Sequence, residues 1–234
     1  MRSELPVAVV TGGTDGVGPE VCRRLAAVGY AVVLGASDLR AAELAAKEID
    51  PEGDRVTACH IEIDNSVNVD AAGEWLTERY GRADALVNNA STVPDKWAIA
   101  GTTDLSPVAE ALDVNLFGTW RMTQVLLPLL RSSPRPRVVN VSDDAGSIAL
   151  MSGGRPAFSV SKAAVNALTR MLAGELYRDG ILVNAVSPGQ VSADSARDGD
   201  RSYARGAASI VWAVTLPNGG PTGTFTRDGR ELPW

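Results

Sequence analysis

Val7-Ala8-Val9-Val10 runs straight into Thr11-Gly12-Gly13-Thr14-Asp15-Gly16-Val17-Gly18, and a helix-like stretch follows. Four consecutive apolar residues, three of them β-branched, suit a strand covered on both faces. The glycines let the backbone beyond that strand turn tightly and approach a ligand closely. A pyrophosphate held there would meet the start of the next helix, where unpaired N–H groups favour negative charge. A glycine pattern by itself is weak. One that leaves a strand and opens a helix is the arrangement of a dinucleotide-binding unit. The residues marked as cofactor contacts are Thr11, Gly12, Thr14, Asp15, Gly16, Val17 and Gly18.

The rest of the chain repeats the alternation that this stretch begins. Val7–Val10, Ala31–Leu34, Val56–Ile61, Ala85–Val87, Val138–Val141 and Ile181–Val186 read as strands. Amphipathic segments near 18–28, 39–49, 67–80, 106–131 and 158–178 lie between them. Strand–helix alternation with near-continuously apolar strands predicts an α/β fold: a doubly wound parallel sheet of the Rossmann type. Gly29-Tyr30, Asp50-Pro51-Glu52-Gly53 and Gly81 fall between elements, as stops and turns should. No linker or repeat interrupts the pattern, so residues 1–234 are expected to form one domain, with a substrate cleft built from its C-terminal loops. The segment 194–205 is polar and reads either as a mobile loop over a site or as a solvated connector. Asp228-Gly229 between Thr224–Thr226 and Glu231–Leu232 predicts a hairpin at a sheet edge.

Composition sets the wider frame. A 234-residue chain with 45% hydrophobic content can bury a large core. A net charge of −6 argues against a nucleic-acid partner, which wants a basic footprint. No apolar run approaches the ~20 residues that span a bilayer. The start, MRSELPVAVV, has no signal-peptide pattern, and a cytoplasmic protein with no membrane partner is expected. Cys22 and Cys59 stand far apart and outside any CxxC pair, which predicts buried free thiols. No metal site is expected, and His60 reads as structural.

The spacing Thr-Gly-x-x-x-Gly-x-Gly at residues 11–18 resembles the short-chain dehydrogenase/reductase family, and other segments agree. Asp64 matches a residue that in this family contacts adenine. Asn88-Asn89-Ala90-Ser91 resembles the family's Asn-Asn-Ala-Gly, which adds Asn89 and Ala90 to the cofactor contacts. Ser187-Pro188-Gly189 resembles the turn flanking the nicotinamide, implying contacts from Pro188, Gly189 and Val191. The ending Leu216-Pro217-Asn218-Gly219-Gly220-Pro221-Thr222-Gly223, closing at Pro233-Trp234, resembles the carbonyl reductase and salutaridine reductase branch. The resemblance covers essentially the whole chain.

Choice between NAD and NADP rests on side chains after the second strand. An acidic residue there bonds the ribose hydroxyls; a basic one receives the extra phosphate. Related reductases carry arginine at Ser37 and a basic residue at Asp15. Ser37 can donate one hydrogen bond and Arg40 lies nearby, while Asp15 would repel a 2′-phosphate and Ala36 offers NAD no carboxylate. The branch uses NADP, and NADP is expected here with NAD as the alternative. The family's threonine after the Pro-Gly turn is Ala193 in this chain, with Ser192 beside it.

The resemblance also implies a catalytic set of Asn, Ser, Tyr and Lys, and here it departs. Asn115 and Lys162 match; the latter would also hold the cofactor ribose. The serine position is Asp143 and the tyrosine position is Phe158. Ser142 matches the serine's neighbour, on the other face of the strand. A phenyl ring cannot protonate a carbonyl oxygen, and general acid catalysis typically supplies about 10²–10⁴-fold. Asp143 is the remaining candidate. Burial would raise its pKa and make it an acid; Lys162 nearby would lower it and leave a base or anchor. Asp144 reads as a solvated or capping neighbour. Asp95, Lys96 and Trp97 fall where the family lines its substrate cleft, or on a surface loop.

Three functions stay open on this reading. Asp143 moves protons in an isomerase, dehydratase or cyclase acting on a small molecule, with the dinucleotide site retained. Alternatively the chain is an NAD(P)H-dependent reductase of a carbonyl or iminium, with Asp143 as acid or anchor. The third is a catalytically silent partner of an active reductase. Only 14 residues separate Asp143 from Phe158, so the insertion that related monomeric reductases carry is absent and a homo-oligomer is expected.

Overall fold

A computed structural model describes residues 5–95, 98–192 and 201–234. The first six strands are β1 (Val7–Val10), β2 (Ala31–Ala36), β3 (Val56–His60), β4 (Ala85–Asn88), β5 (Arg137–Val141) and β6 (Leu182–Val186). Two short strands, β7 (Val191–Ser192) and β8 (Arg201–Ser202), pair with each other. The edge of the main sheet is β9 (Phe225–Arg227) and β10 (Arg230–Glu231). Its order is β10-β9-β6-β5-β4-β1-β2-β3, parallel except for β10. Order reverses at β1, which has β2 on one side and β4 on the other. At such a reversal two loops diverge beyond the strand ends and leave a crevice, the usual ligand position in open α/β sheets.

Every residue of β1, β2, β4, β5 and β6 is buried, as continuous apolar strands require. Side chains alternate across the sheet. Val7, Val9, Val33 and Leu86 enter one core with Leu126, Leu130, Leu168 and Leu172. Ala8, Val10, Leu34 and Val87 enter the other with Val21, Leu25 and Ile210. Full burial of each such side chain contributes about 1.5–3 kcal/mol before entropy is charged against it.

The helices are α1 (Gly18–Ala27), α2 (Leu39–Ile49), α3 (Ser66–Arg79), α4 (Ser106–Ala111), α5 (Thr119–Arg131), α6 (Pro156–Glu175) and α7 (Tyr203–Val214). Asp38 and Asn65 cap α2 and α3 with their side chains. Residues 106–131 do not form one α-helix as the periodicity predicts: a π-helical stretch, Leu112–Gly118, separates α4 from α5. Helix α7 starts at the end of the polar segment 194–205 and continues where the apolar pattern marks no helix. Its core face mixes Gly206, Ala207 and Ser209 with Ile210, Ala213 and Val214, so small residues dilute the apolar period while allowing close packing. Ser202 caps it, accepting from Arg205 N at 3.3 Å. The Asp228-Gly229 hairpin forms as expected, with φ of 53° and 72° at the two turn residues.

The C-terminal branch motif is anchored inside the molecule. Buried Arg137 donates to Leu216 O at 2.7 Å and to Asn218 Oδ1 at 2.9 Å. Pro233 and Trp234 accept from Ser147 Oγ and Ala149 N, at 2.7 and 2.9 Å. The final residues therefore brace the loop that follows β5.

Candidate active site

The crevice at the sheet reversal is a cleft of about 940 Å³, in the size range of small-molecule and cofactor sites. Its first wall is the loop after β1. Gly12 has φ of +62°, and a Cβ there would stand 2.7 Å from Ala90 Cα. A Cβ on Gly18 would stand 2.2 Å from Gly12 O. Gly16, at φ +56°, has open space around it. Two glycines are thus fixed by backbone crowding, and the third leaves a concave turn that a phosphate can approach. Thr11 is buried and does not face the cleft: its hydroxyl accepts from Asn89 N and Ala90 N, each at 3.1 Å. Asn89 Nδ2 donates back to Gly12 O at 2.8 Å. The loop after β4 is thereby locked to the loop after β1.

Gly12, Thr14, Asp15, Gly16 and Val17 line the cleft, with Ser37 and Asp64 at the same end and Asn89 and Ala90 at its middle. Pro188 and Gly189 line the far end. Gly18 lies behind this surface, against Gly12. The side chain of Val191, together with Lys96, Trp97 and Ala193–Asp200, lies outside the described residues. Glu62 and Arg155 also line the cleft, and neither is marked by the sequence motifs. A dinucleotide fits the residues present: a glycine cradle at a helix start, polar groups at the β2 and β3 ends, and a lysine further along.

The far end holds the departed set. Strand β5 delivers Asp143, half-buried, whose Oδ1 accepts from Ala145 N at 2.9 Å and caps the short turn Asp144–Gly146. Phe158 and Lys162 lie one turn apart on α6 and face the same way. Lys162 is buried and donates from Nζ to Val141 O at 2.8 Å. Burial pushes its ammonium down to about 8, against a smaller opposing pull from the Asp143 carboxylate. Phe158 packs near two cations, Lys162 Nζ at 5.6 Å and Arg155 Cζ at 5.2 Å from its ring centre. Ser142, expected on the other face of the strand, also lines the cleft; it is buried, and its hydroxyl reaches to Lys162 O at 3.5 Å.

Asn115 sits in the π-helical stretch, off the cleft surface. Its Oδ1 accepts from Thr92 N at 2.8 Å, and its Nδ2 donates to Thr92 O at 3.0 Å and Ser161 Oγ at 2.9 Å. All its side-chain bonds join the loop after β4 to α6. Asp95 is neither cleft lining nor surface loop. Its buried carboxylate caps α6, accepting from Ala157 N at 2.6 Å and Phe158 N at 3.2 Å. Asp144 is more than a solvated neighbour: it pairs with Arg227 and accepts from Ser187 Oγ at 2.7 Å. Ser187 Oγ in turn accepts from Gly189 N at 3.1 Å. His60 bonds Asn68 at 3.0 Å on the outside of β3. Cys22 and Cys59 are buried free thiols, pushed up to about 12 and 11 by burial. No group of metal-ligating side chains occurs among the described residues, nor any helix long and apolar enough to cross a membrane.

Comparison with known proteins gives a consistent picture. The family described as short chain dehydrogenase matches residues 6–203. Carbonyl reductase [NADPH] 1 from Rattus norvegicus is 31% identical across all of both chains. That alignment runs over 285 positions against 234 residues here, so the relative carries segments this chain lacks. A (+)-neomenthol dehydrogenase from Capsicum annuum is 27% identical over 93% of this chain and 94% of its own. The structure of salutaridine reductase from Papaver somniferum superposes with a TM-score of 0.82 at 24% identity, covering 95% of this chain and 99% of that one. It shares the fold.

Proposed function

The chain belongs to the short-chain dehydrogenase family, and on that premise we propose that it is an atypical member in which Asp143 transfers protons on a small organic substrate. The reaction class is isomerase, dehydratase or cyclase. One observation carries the reading: Asp143, Phe158 and Lys162 line the cleft together, and the Phe158 ring, 5.6 Å from Lys162 Nζ, has no proton to give. Asp143 takes a proton from the carbon beside a substrate carbonyl, and the freed electron pair moves onto the carbonyl oxygen. The Lys162 ammonium stabilises that charge. The protonated carboxyl then returns its proton to a different carbon, for isomerisation, or to a departing hydroxyl that leaves as water. Neither route changes the substrate's oxidation state beyond rearrangement or loss of water.

A nicotinamide dinucleotide, when bound, supplies a hydride donor or acceptor and a charged ring beside the substrate. Gly12, Thr14, Gly16 and Val17 would hold its phosphates; Ser37 and Asp64 the adenosine; Asn89, Ala90 and Lys162 the second ribose; Pro188, Gly189 and Val191 the nicotinamide. We take NADP as the form used, which the name of the rat relative supports. Asp15 lines the adenosine end and opposes a 2′-phosphate, so the preference over NAD is narrow. Asp15→Lys should widen it in favour of NADPH, by paired titrations with the two reduced cofactors. The site residues and the cytoplasmic setting belong to this same proposal.

The test is deuterium uptake from heavy water into a panel of ketones, followed by mass spectrometry alongside NAD(P)H absorbance. Asp143→Asn should slow exchange by about 10²–10⁴-fold, the usual worth of a general acid–base group. Stoichiometric cofactor oxidation that survives Asp143→Asn would overturn the proposal. A second reading, NAD(P)H-dependent reduction, is favoured by the intact glycine cradle and by the reductase names of the relatives. An iminium substrate needs hydride but no proton at oxygen, so Phe158 would not impede it.

A further inference from the structure

Arg155 stands at the substrate end of the cleft in an unusual posture. It immediately precedes α6 and holds φ 47° and ψ 53°, a left-handed conformation that few residues other than glycine adopt. It also precedes Pro156, which restricts its backbone further. Its own N–H donates to Ala98 O at 3.2 Å, and its carbonyl accepts from Ser159 N at 2.9 Å, so the strained geometry is held from both sides. Strain kept at a cleft points to a side chain that must be aimed. Here the guanidinium is aimed over the Phe158 ring at 5.2 Å and lines the cleft. Among the described residues it has neither an ion pair nor a side-chain hydrogen bond.

The surroundings sharpen the point. The protein carries a net charge of −6, and the adenosine end of the cleft presents Asp15, Glu62 and Asp64. At the far end Arg155 and Lys162 both approach one phenyl ring and line the cleft with Asp143, while the Asp95 carboxylate is taken up behind them by the start of α6. A guanidinium whose donors meet no side-chain or backbone acceptor among the described residues is a bidentate fork for a carboxylate. We propose that Arg155 anchors the substrate through a carboxylate, and that the substrate class is a short oxo acid. Its carboxylate takes the fork, its carbon chain lies on Phe158, and its carbonyl reaches Asp143 and Lys162. The two cations are at most about 11 Å apart, the reach of their two ring contacts placed end to end, which suits a chain of a few carbons. The inference rests on the proposed function only in taking the Asp143 end as the substrate end.

Calorimetric titration of the full chain with pyruvate, acetoacetate and levulinate, each against its methyl ester, tests this. At least one acid should bind roughly tenfold or more tighter than its ester. Arg155→Met should erase that preference while leaving the ester unchanged, and Arg155→Lys should retain part of it. Arg155→Gly relieves the positive φ, so it should melt no lower than the wild type while losing the acid preference; a residue kept only for structure would melt lower. Equal binding of acids and esters, no binding of any acid, or an acid preference that survives Arg155→Met would overturn the proposal. Because binding is read without turnover, proton transfer by Asp143 can fail its own exchange test while the acid preference stands.

Discussion

Phe158 differs from tyrosine by one hydroxyl, and the space around it explains what that atom would do. Its ring is buried with two cations close by, so a phenol placed there would sit beside Lys162 and lose its proton more easily. Phe158→Tyr should therefore create or raise NADPH-dependent ketone reduction by about 10²–10⁴-fold, read directly from cofactor absorbance. Lys162 gives a pH signature of the opposite kind to a surface lysine. Its folded value of about 8 lies below its ordinary 10.5. Below pH 8 both folded and unfolded chains carry the proton, and the fold bears the whole burial cost. Between 8 and 10.5 the folded form releases it first, so stability climbs with pH; above 10.5 the cost is gone. The difference is about 3 kcal/mol. Lys162→Met should raise the urea midpoint at pH 7 and flatten the climb above pH 8. Any rate that needs the ammonium should fall as pH passes 8.

At the scale of elements, the loop after β1 was legible because its glycines are demanded by local geometry. Gly18→Ala would drive a methyl to 2.2 Å from Gly12 O, so the loop must open. Dinucleotide affinity should drop by roughly tenfold or more, measured by titration, with α1 intact by circular dichroism. Helix α6 was also legible, yet its cap was not. Asp95 is 62 residues from the N–H of Ala157 that it serves, and no local pattern announces a cap from so far away. Asp95→Ala should cost about 1–2 kcal/mol in chemical denaturation. The π-helical stretch escaped for a related reason. One extra residue in a turn leaves the apolar spacing almost unchanged while rotating Asn115 onto Thr92 and Ser161. Helix α7 escaped because glycine, alanine and serine on its buried face carry almost no hydropathic signal. Arg155 escaped because positive φ in a residue other than glycine has no sequence signature.

At the scale of the whole molecule, the parallel sheet and its two cores follow from valine-rich strands that bury both faces, and strand boundaries moved by only a residue or two. What position in sequence could not convey is which strand ends converge. The outer faces of the central helices carry exposed Phe117, Val160 and Met171, with Tyr177 just beyond; Val160 and Met171 lie three turns apart on one side of α6. Association through these helices should give at least a dimer by light scattering, and Met171→Glu should dissociate it. The tie from Asp144 to Ser187 and Arg227 has a different reach. Arg227 belongs to β9, one strand in from the sheet edge and outside the cleft, yet through Asp144 it is coupled both to the turn that carries Asp143 and to the turn bearing Pro188 and Gly189. A change at β9 is thereby passed to both turns at the Asp143 end of the cleft. Arg227→Gln should depress the proton exchange proposed for Asp143 more than it depresses melting temperature, and the same remote handle offers a way to tune that end of the cleft without altering any residue that lines it.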